Sequence, residues 1–152
     1  MELKLKALYE PLTVEIGEVT VNTAIDVTAD NLMNLTEVCE KASKEMDEVS
    51  GWQRQAEKER NVDLLRKANK KAAEILEPAI VCGIGQEAYD EIVKACGAGR
   101  KISKSACNIV MVRVLYAIVD TVNEHRGVIE AEKAAHYLAE ADDAQPIFNA
   151  AI

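Results

Sequence analysis

Leu12-Thr13-Val14-Glu15-Ile16-Gly17-Glu18-Val19-Thr20-Val21 alternates apolar and polar residues on both sides of a glycine-led dipeptide. A period of two marks a strand with one covered face, and a two-residue connection with glycine first suits a type II′ turn. The stretch predicts an antiparallel hairpin that pairs Ile16 with Val19 and Val14 with Val21 on one face. Leu3, Leu5 and Ala7 alternate with polar or charged neighbours ahead of Pro11 and predict a further short strand. The expectation for residues 1–26 is therefore a hairpin or a three-stranded sheet. So small a sheet is marginal in water unless something covers its apolar face. The cover has to come from the rest of the chain, which reads as helical.

Thr28 is placed to cap the first helix, with Asp30 in the first turn where the helix dipole favours an anion. Leu35, Cys39, Ala42, Met46, Val49 and Ala56 follow at steps of three, four and seven, an amphipathic stripe of several turns. Gly51 weakens this helix by about 1 kcal/mol relative to alanine. Asn61 caps a second helix with the stripe Leu64, Leu65, Ala68, Ala72, Ile75 and Leu76, which Pro78 is expected to break or kink. Residues 79–85 then read as a buried connection, and residues 86–96 as a short helix closed by Gly97. From Ser103 the chain becomes apolar on nearly every side between Ile109 and Val122, the pattern of a central helix, here ended by Gly127. Residues 128–141 predict a last amphipathic helix with Ala134, Tyr137, Leu138 and Ala141 inward, and residues 142–152 a tail. The fold class expected is mainly α: one domain over residues 1–141, a bundle of four to five helices over 28–141 and a small β region before it.

A chain of 152 residues is long enough to bury a core without disulfides or metals. Apolar residues make up 49% and aromatics 4%, so that core must be built from Leu, Ile, Val and Ala. The formal net charge is -8, with six acids against two bases in residues 1–30, five against one in 128–152, and fifteen of each between them. Acidic ends repel polyanions, and no basic face for nucleic acid is expected. Cys39, Cys82, Cys96 and Cys107 stand singly and read as reduced thiols packed like small hydrophobes. The apolar run 109–119 is interrupted by Arg113 and is too short to span a bilayer, and no secretory signal is expected at the N-terminus. A cytoplasmic location with no membrane partner follows as the expectation.

Catalytic, cofactor and metal chemistry are all expected to be absent. His125 and His136 lie on either side of Gly127 and read as surface residues. Glu132 and His136 are four apart, whereas a carboxylate-bridged di-iron helix places Glu and His three apart. Gly83-Ile84-Gly85 and Gly97-Ala98-Gly99-Arg100-Lys101 fail the phosphate-loop pattern, since Ile102 stands where Ser or Thr is required. Arg100, Lys101 and Lys104 read as a solvated basic corner. Cys107 falls in the most apolar segment, where burial keeps a thiol inert. The features that lean towards partners are the stripe Leu35, Cys39, Met46 and Val49 and the single tryptophan, Trp52, because tryptophan is enriched in binding hot spots. Packing within the domain accounts for the same residues, and self-association through the stripe is the other reading.

The order of parts, a β-hairpin, long charged helices and then an apolar closing helix, resembles the tail assembly chaperones of long-tailed phages. The residues that carry the resemblance run from Ile75 to Val93, Ile-Leu-Glu-Pro-Ala-Ile-Val-Cys-Gly-Ile-Gly-Gln-Glu-Ala-Tyr-Asp-Glu-Ile-Val, an apolar-then-glycine segment leading into a short helix. The apolar segment 106–122 follows after a glycine-containing loop. The resemblance implies a cofactor-free factor in the bacterial host cytoplasm. Such a factor binds the tape-measure protein and helps recruit tail-tube subunits. A head-tail connector is the neighbouring alternative, and a small-molecule-binding helical regulator is one from another class.

Overall fold

A computed structural model describes residues 1–5 and 7–127. The helix expected over 128–141 and the tail after it lie outside the described residues. The order of elements is β1 (Tyr9–Ile16), β2 (Val19–Asp26), α1 (Ala29–Glu59), α2 (Val62–Ile84), α3 (Gln86–Cys96), a 3-10 turn (Lys104–Cys107) and α4 (Asn108–Glu124). The fold is mainly α, with four helices and a two-stranded antiparallel hairpin among the described residues.

The hairpin has the expected register, Ile16 opposite Val19 and Val14 opposite Val21. Gly17 has φ +60°, and Glu18 is not among the positive-φ residues, as a type II′ turn requires. No third strand forms among the described residues: Leu3 and Leu5 are exposed, and β1 starts at Tyr9. Pro11 sits inside β1, not beyond an earlier strand. In a two-stranded sheet every strand is an edge, so a residue without a backbone N–H is tolerated.

β1 turns Glu10, Leu12, Val14 and Ile16 inward as half-buried positions, while β2 buries Val21 and Ile25. Thr28 precedes α1 but makes no side-chain cap bond to it. Its hydroxyl donates instead to Asp26 Oδ1 at 2.7 Å, and its backbone N–H donates to the same oxygen at 3.0 Å. Asn31 then ties three elements together, its Nδ2 donating to the carbonyls of Asp26 (2.9 Å) and Cys82 (3.0 Å).

α1 runs unbroken through Gly51. It reverses into α2 over Arg60 and Asn61, where the Arg60 N–H donates to Glu57 O (3.3 Å) and the Asn61 N–H to Ala56 O (2.8 Å). This is a Schellman closure with a left-handed arginine at φ 54° in place of glycine. Asn61 also starts α2, its Oδ1 accepting the Leu64 N–H at 3.1 Å. Asn61→Ala should therefore lower stability by about 1 kcal/mol. A shift in the urea midpoint with an unchanged slope is the measurement that checks it.

α2 corrects two sequence expectations. Pro78 does not end the helix, which continues to Ile84, so residues 79–84 are not a connection. Pro78 and Glu74 are both on the exposed side, so the Glu74 carbonyl that loses its partner faces water. The break comes at Gly85, whose φ of 90° and ψ of 161° suit glycine alone. Gly97 follows α3 as its C-cap, as expected.

The core runs through β2, α1, α2, α3 and α4 as one cluster, with Leu32, Leu35, Leu76, Ile80, Tyr89, Ile92 and Ile118 at its centre. α1 packs chiefly along α2, and α4 packs chiefly on α2 as well. α4 consequently differs from the all-round burial expected of it. Met111, Val114, Leu115, Ile118 and Val122 form one inward stripe, while Ile109 and Tyr116 are exposed at 82% and 64%. It ends at Glu124, three residues before Gly127.

Candidate interaction groove

α1 and α4 both rest on α2 and leave a groove of about 470 Å³ between them. Cys39 and Met46 from α1, Leu76 from α2, and Val112, Leu115, Val119 and Val122 from α4 make its floor and inner walls. Thr36, Glu40, Ser43, Asp47 and Ser50 form a polar rim along α1, spaced by three and four as neighbours on one helix face must be. Tyr116, Asn123 and Arg126 edge the other side. The lining spans residues 36–50 on one side and 112–126 on the other, of which α4 supplies 112–124, so the helical walls are about 21 Å and about 18 Å long at 1.5 Å per residue. Such a slot matches an α-helix of about four turns. Among the described residues its rim carries Glu40 and Asp47 against the single cation Arg126.

The five residues singled out in the sequence divide. Leu35 and Val49 are buried in the core at 0% and 1% exposure. Cys39 and Met46 are half-buried and line the groove. Trp52 is half-buried outside it, with Lys67 Nζ from α2 5.1 Å from its ring centroid. The predicted stripe is thus partly core and partly groove, because α2 and α4 meet it at different angles around the helix.

Sequence reading missed the groove's opposite wall, since an apolar run does not reveal which of its faces has a neighbour. The 21 residues Lys104–Glu124 are long and apolar enough by length and composition to cross a bilayer, which the 109–119 run alone did not suggest. In the fold that hydropathy is divided between the stripe packed on α2 and the outward face. A second apolar hollow lies on the other flank of α4, between Leu12, Val14 and Ile16 of β1 and Ile109, Val110 and Ala117.

Burial favours the protonated form of the Cys39, Cys82 and Cys107 thiols. Burial, then the neighbouring Cys82, pushes Cys39 up to about 11, and burial with Cys96 beside it does the same to Cys107. Both shifts run opposite to the activation of a nucleophile. In the basic corner Lys104 is occupied, donating to Glu77 Oε1 at 2.7 Å and lying 5.8 Å from the Tyr89 ring centroid.

His125 is not the surface residue expected. It is 3% exposed, and Glu10 of β1 and Glu124 of α4 lie beside it. The signal available in the sequence was the phase of Glu10, in step with Leu12, Val14 and Ile16 on the inward face. The Glu132 and His136 pair lies outside the described residues. Comparison of the chain with known protein families, with curated proteins and with solved structures gives no match.

Proposed function

We propose that this protein is a non-enzymatic assembly factor that holds an amphipathic helix of a client protein in the groove between α1 and α4. The observation that carries the reading is the groove itself: two helical walls, an apolar floor and a polar rim. Helix-in-groove recognition needs those parts, with apolar anchors at i, i+3 or i+4 and i+7 filling the floor. The acidic rim of Glu40 and Asp47 favours a client helix flanked by Lys or Arg. Taken with the resemblance to phage tail assembly chaperones, the client is the tape-measure protein, whose long apolar helices need cover until the tail is built. Repeated contacts along one client gain through effective concentration.

The test pairs one substitution on each wall. Met46→Asp and Val119→Glu each place a charge on the floor, and each should weaken client binding about tenfold to a hundredfold, the scale of a binding hot spot. Light scattering of co-expressed client and calorimetry with a 14-residue Leu/Lys amphipathic peptide provide the readouts. Folded variants that bind the peptide and keep the client soluble as wild type does would reject the groove. Mass spectrometry of finished particles separates a chaperone, absent from them, from a connector, which stays.

The groove volume also lies within the range of about 300–1,000 Å³ usual for small-ligand pockets, which favours a ligand-binding regulator as the second reading. A rise in melting temperature with one member of an apolar metabolite panel, and none with the peptide, would support it.

A further inference from the structure

His125 follows α4 directly, and its Nδ1 lies 2.9 Å from the carbonyl oxygen of Thr121. An oxygen acceptor at that distance makes Nδ1 the N–H donor. In the neutral ring Nε2 then carries a lone pair. That atom is buried and has no hydrogen-bond partner among the described residues. What faces it is a carboxylate, Glu10 Oε1 at 3.8 Å, and a carboxylate oxygen of Glu124 joins a Glu10 oxygen and a His125 ring nitrogen in a set of three donor atoms all within 4.8 Å of one another. Two anionic oxygens and a nitrogen lone pair around one point repel each other unless a cation lies between them. A buried polar atom without a partner calls for an explanation of the same kind.

We propose that Glu10, Glu124 and His125 bind a divalent transition-metal ion of the Zn²⁺ or Mn²⁺ type, with solvent completing its coordination. Imidazole and carboxylates suit such ions. Bonds of about 2.1 Å at a tetrahedral angle put donor atoms about 3.4 Å apart, so the 3.8 Å pair and the rest of the set, within 4.8 Å, would draw together on the ion. The Thr121 carbonyl supplies the outer partner that metal-bound histidines usually have, fixing the tautomer and ring plane. The ion would join the first strand to the end of the last described helix.

The experiment uses the full chain after chelator treatment. Mn²⁺ is the first probe, because a hard ion avoids the four thiols. Zn²⁺ is the second. One-site binding by calorimetry is expected for both. Melting temperature should rise about 5 to 10 °C at a hundredfold excess over Kd. Glu10→Gln, at a half-buried position, and Glu124→Gln, at an exposed one, should each weaken binding tenfold or more while leaving the metal-free protein folded. Long-range nitrogen spectra should show the His125 Nε2 resonance moving with Zn²⁺ while Nδ1 stays protonated. Absence of saturable binding at millimolar Mn²⁺ and Zn²⁺ would overturn the proposal. Unchanged affinity in both carboxylate variants would overturn it too, as would a Zn²⁺ response confined to His136 or the thiols. A ring that gains a proton at Nε2 with falling pH but never responds to metal would leave a histidine–carboxylate pair in its place.

Discussion

Gly83→Val is expected to lower the unfolding free energy by about 3 kcal/mol, the upper part of the range for overpacking a close-packed core. α2 and α4 meet at this glycine. A Cβ there would lie 2.8 Å from Ile118 Cδ1, 3.2 Å from Cγ1 and 3.3 Å from Cγ2. Ile118 is fully buried, so it has no free space to turn into. Gly51→Ala should have the opposite sign and stabilise the protein by about 1 kcal/mol. Gly51 too is helical, but among the described residues nothing lies within 4 Å of the Cβ it would gain. Chemical denaturation of the two variants separates helix propensity from interhelical space. Ile118→Ala alone should cost about 3 kcal/mol through its cavity. Combined with Gly83→Val it should cost at least 1 kcal/mol less than the sum, since the valine occupies what the isoleucine vacates. Strict additivity would show that the two residues do not share a contact in solution.

Leu35→Ala is expected to cost about 3 kcal/mol, within the usual range for truncating a buried leucine, and to lower the melting temperature by about 10 °C. Leu35 has no exposed surface. Its loss should therefore appear in stability, with binding unchanged in the fraction that remains folded. Met46→Asp should show the reverse balance, a small stability change and a large loss of partner binding. The two residues stand on one helix at positions that sequence periodicity makes equivalent. Calorimetry of both variants would show whether α1 divides into a packing side and a contact side as its burial indicates.

The parts of the fold written in local patterns were readable. Period-two alternation around Gly17-Glu18 specified the hairpin and its register, and Asn61 ahead of Leu64 marked the start of α2. The misreadings share a cause, in that each depended on what stands opposite a residue. Pro78 is tolerated because the carbonyl it leaves unpartnered is on the water side. Thr28 bonds back to Asp26 because the hairpin delivers that carboxylate to it. α4 looked central because apolar residues occur on every side of it, yet α1 packs along α2 and leaves one flank open. His125 read as a surface residue until β1 and the end of α4 were known to meet. Of the groove, only the α1 wall at Cys39 and Met46 could be read in advance.

The preference of α1 for α2 also sets the order in which the binding surface can come into being. The hairpin spans residues 9–26 and the α1–α2 pair spans 29–84, and each closes through contacts between elements consecutive in the chain. Such contacts form early and quickly. The groove has no local component, since residues 36–50 and 112–126 become its walls only when α4 docks. A nascent chain that has emerged only through α3 therefore carries half a groove and no partner site. An occupant bridging the two walls would stabilise the docked helix and resist its local opening. Competence to bind arrives with the last folding step.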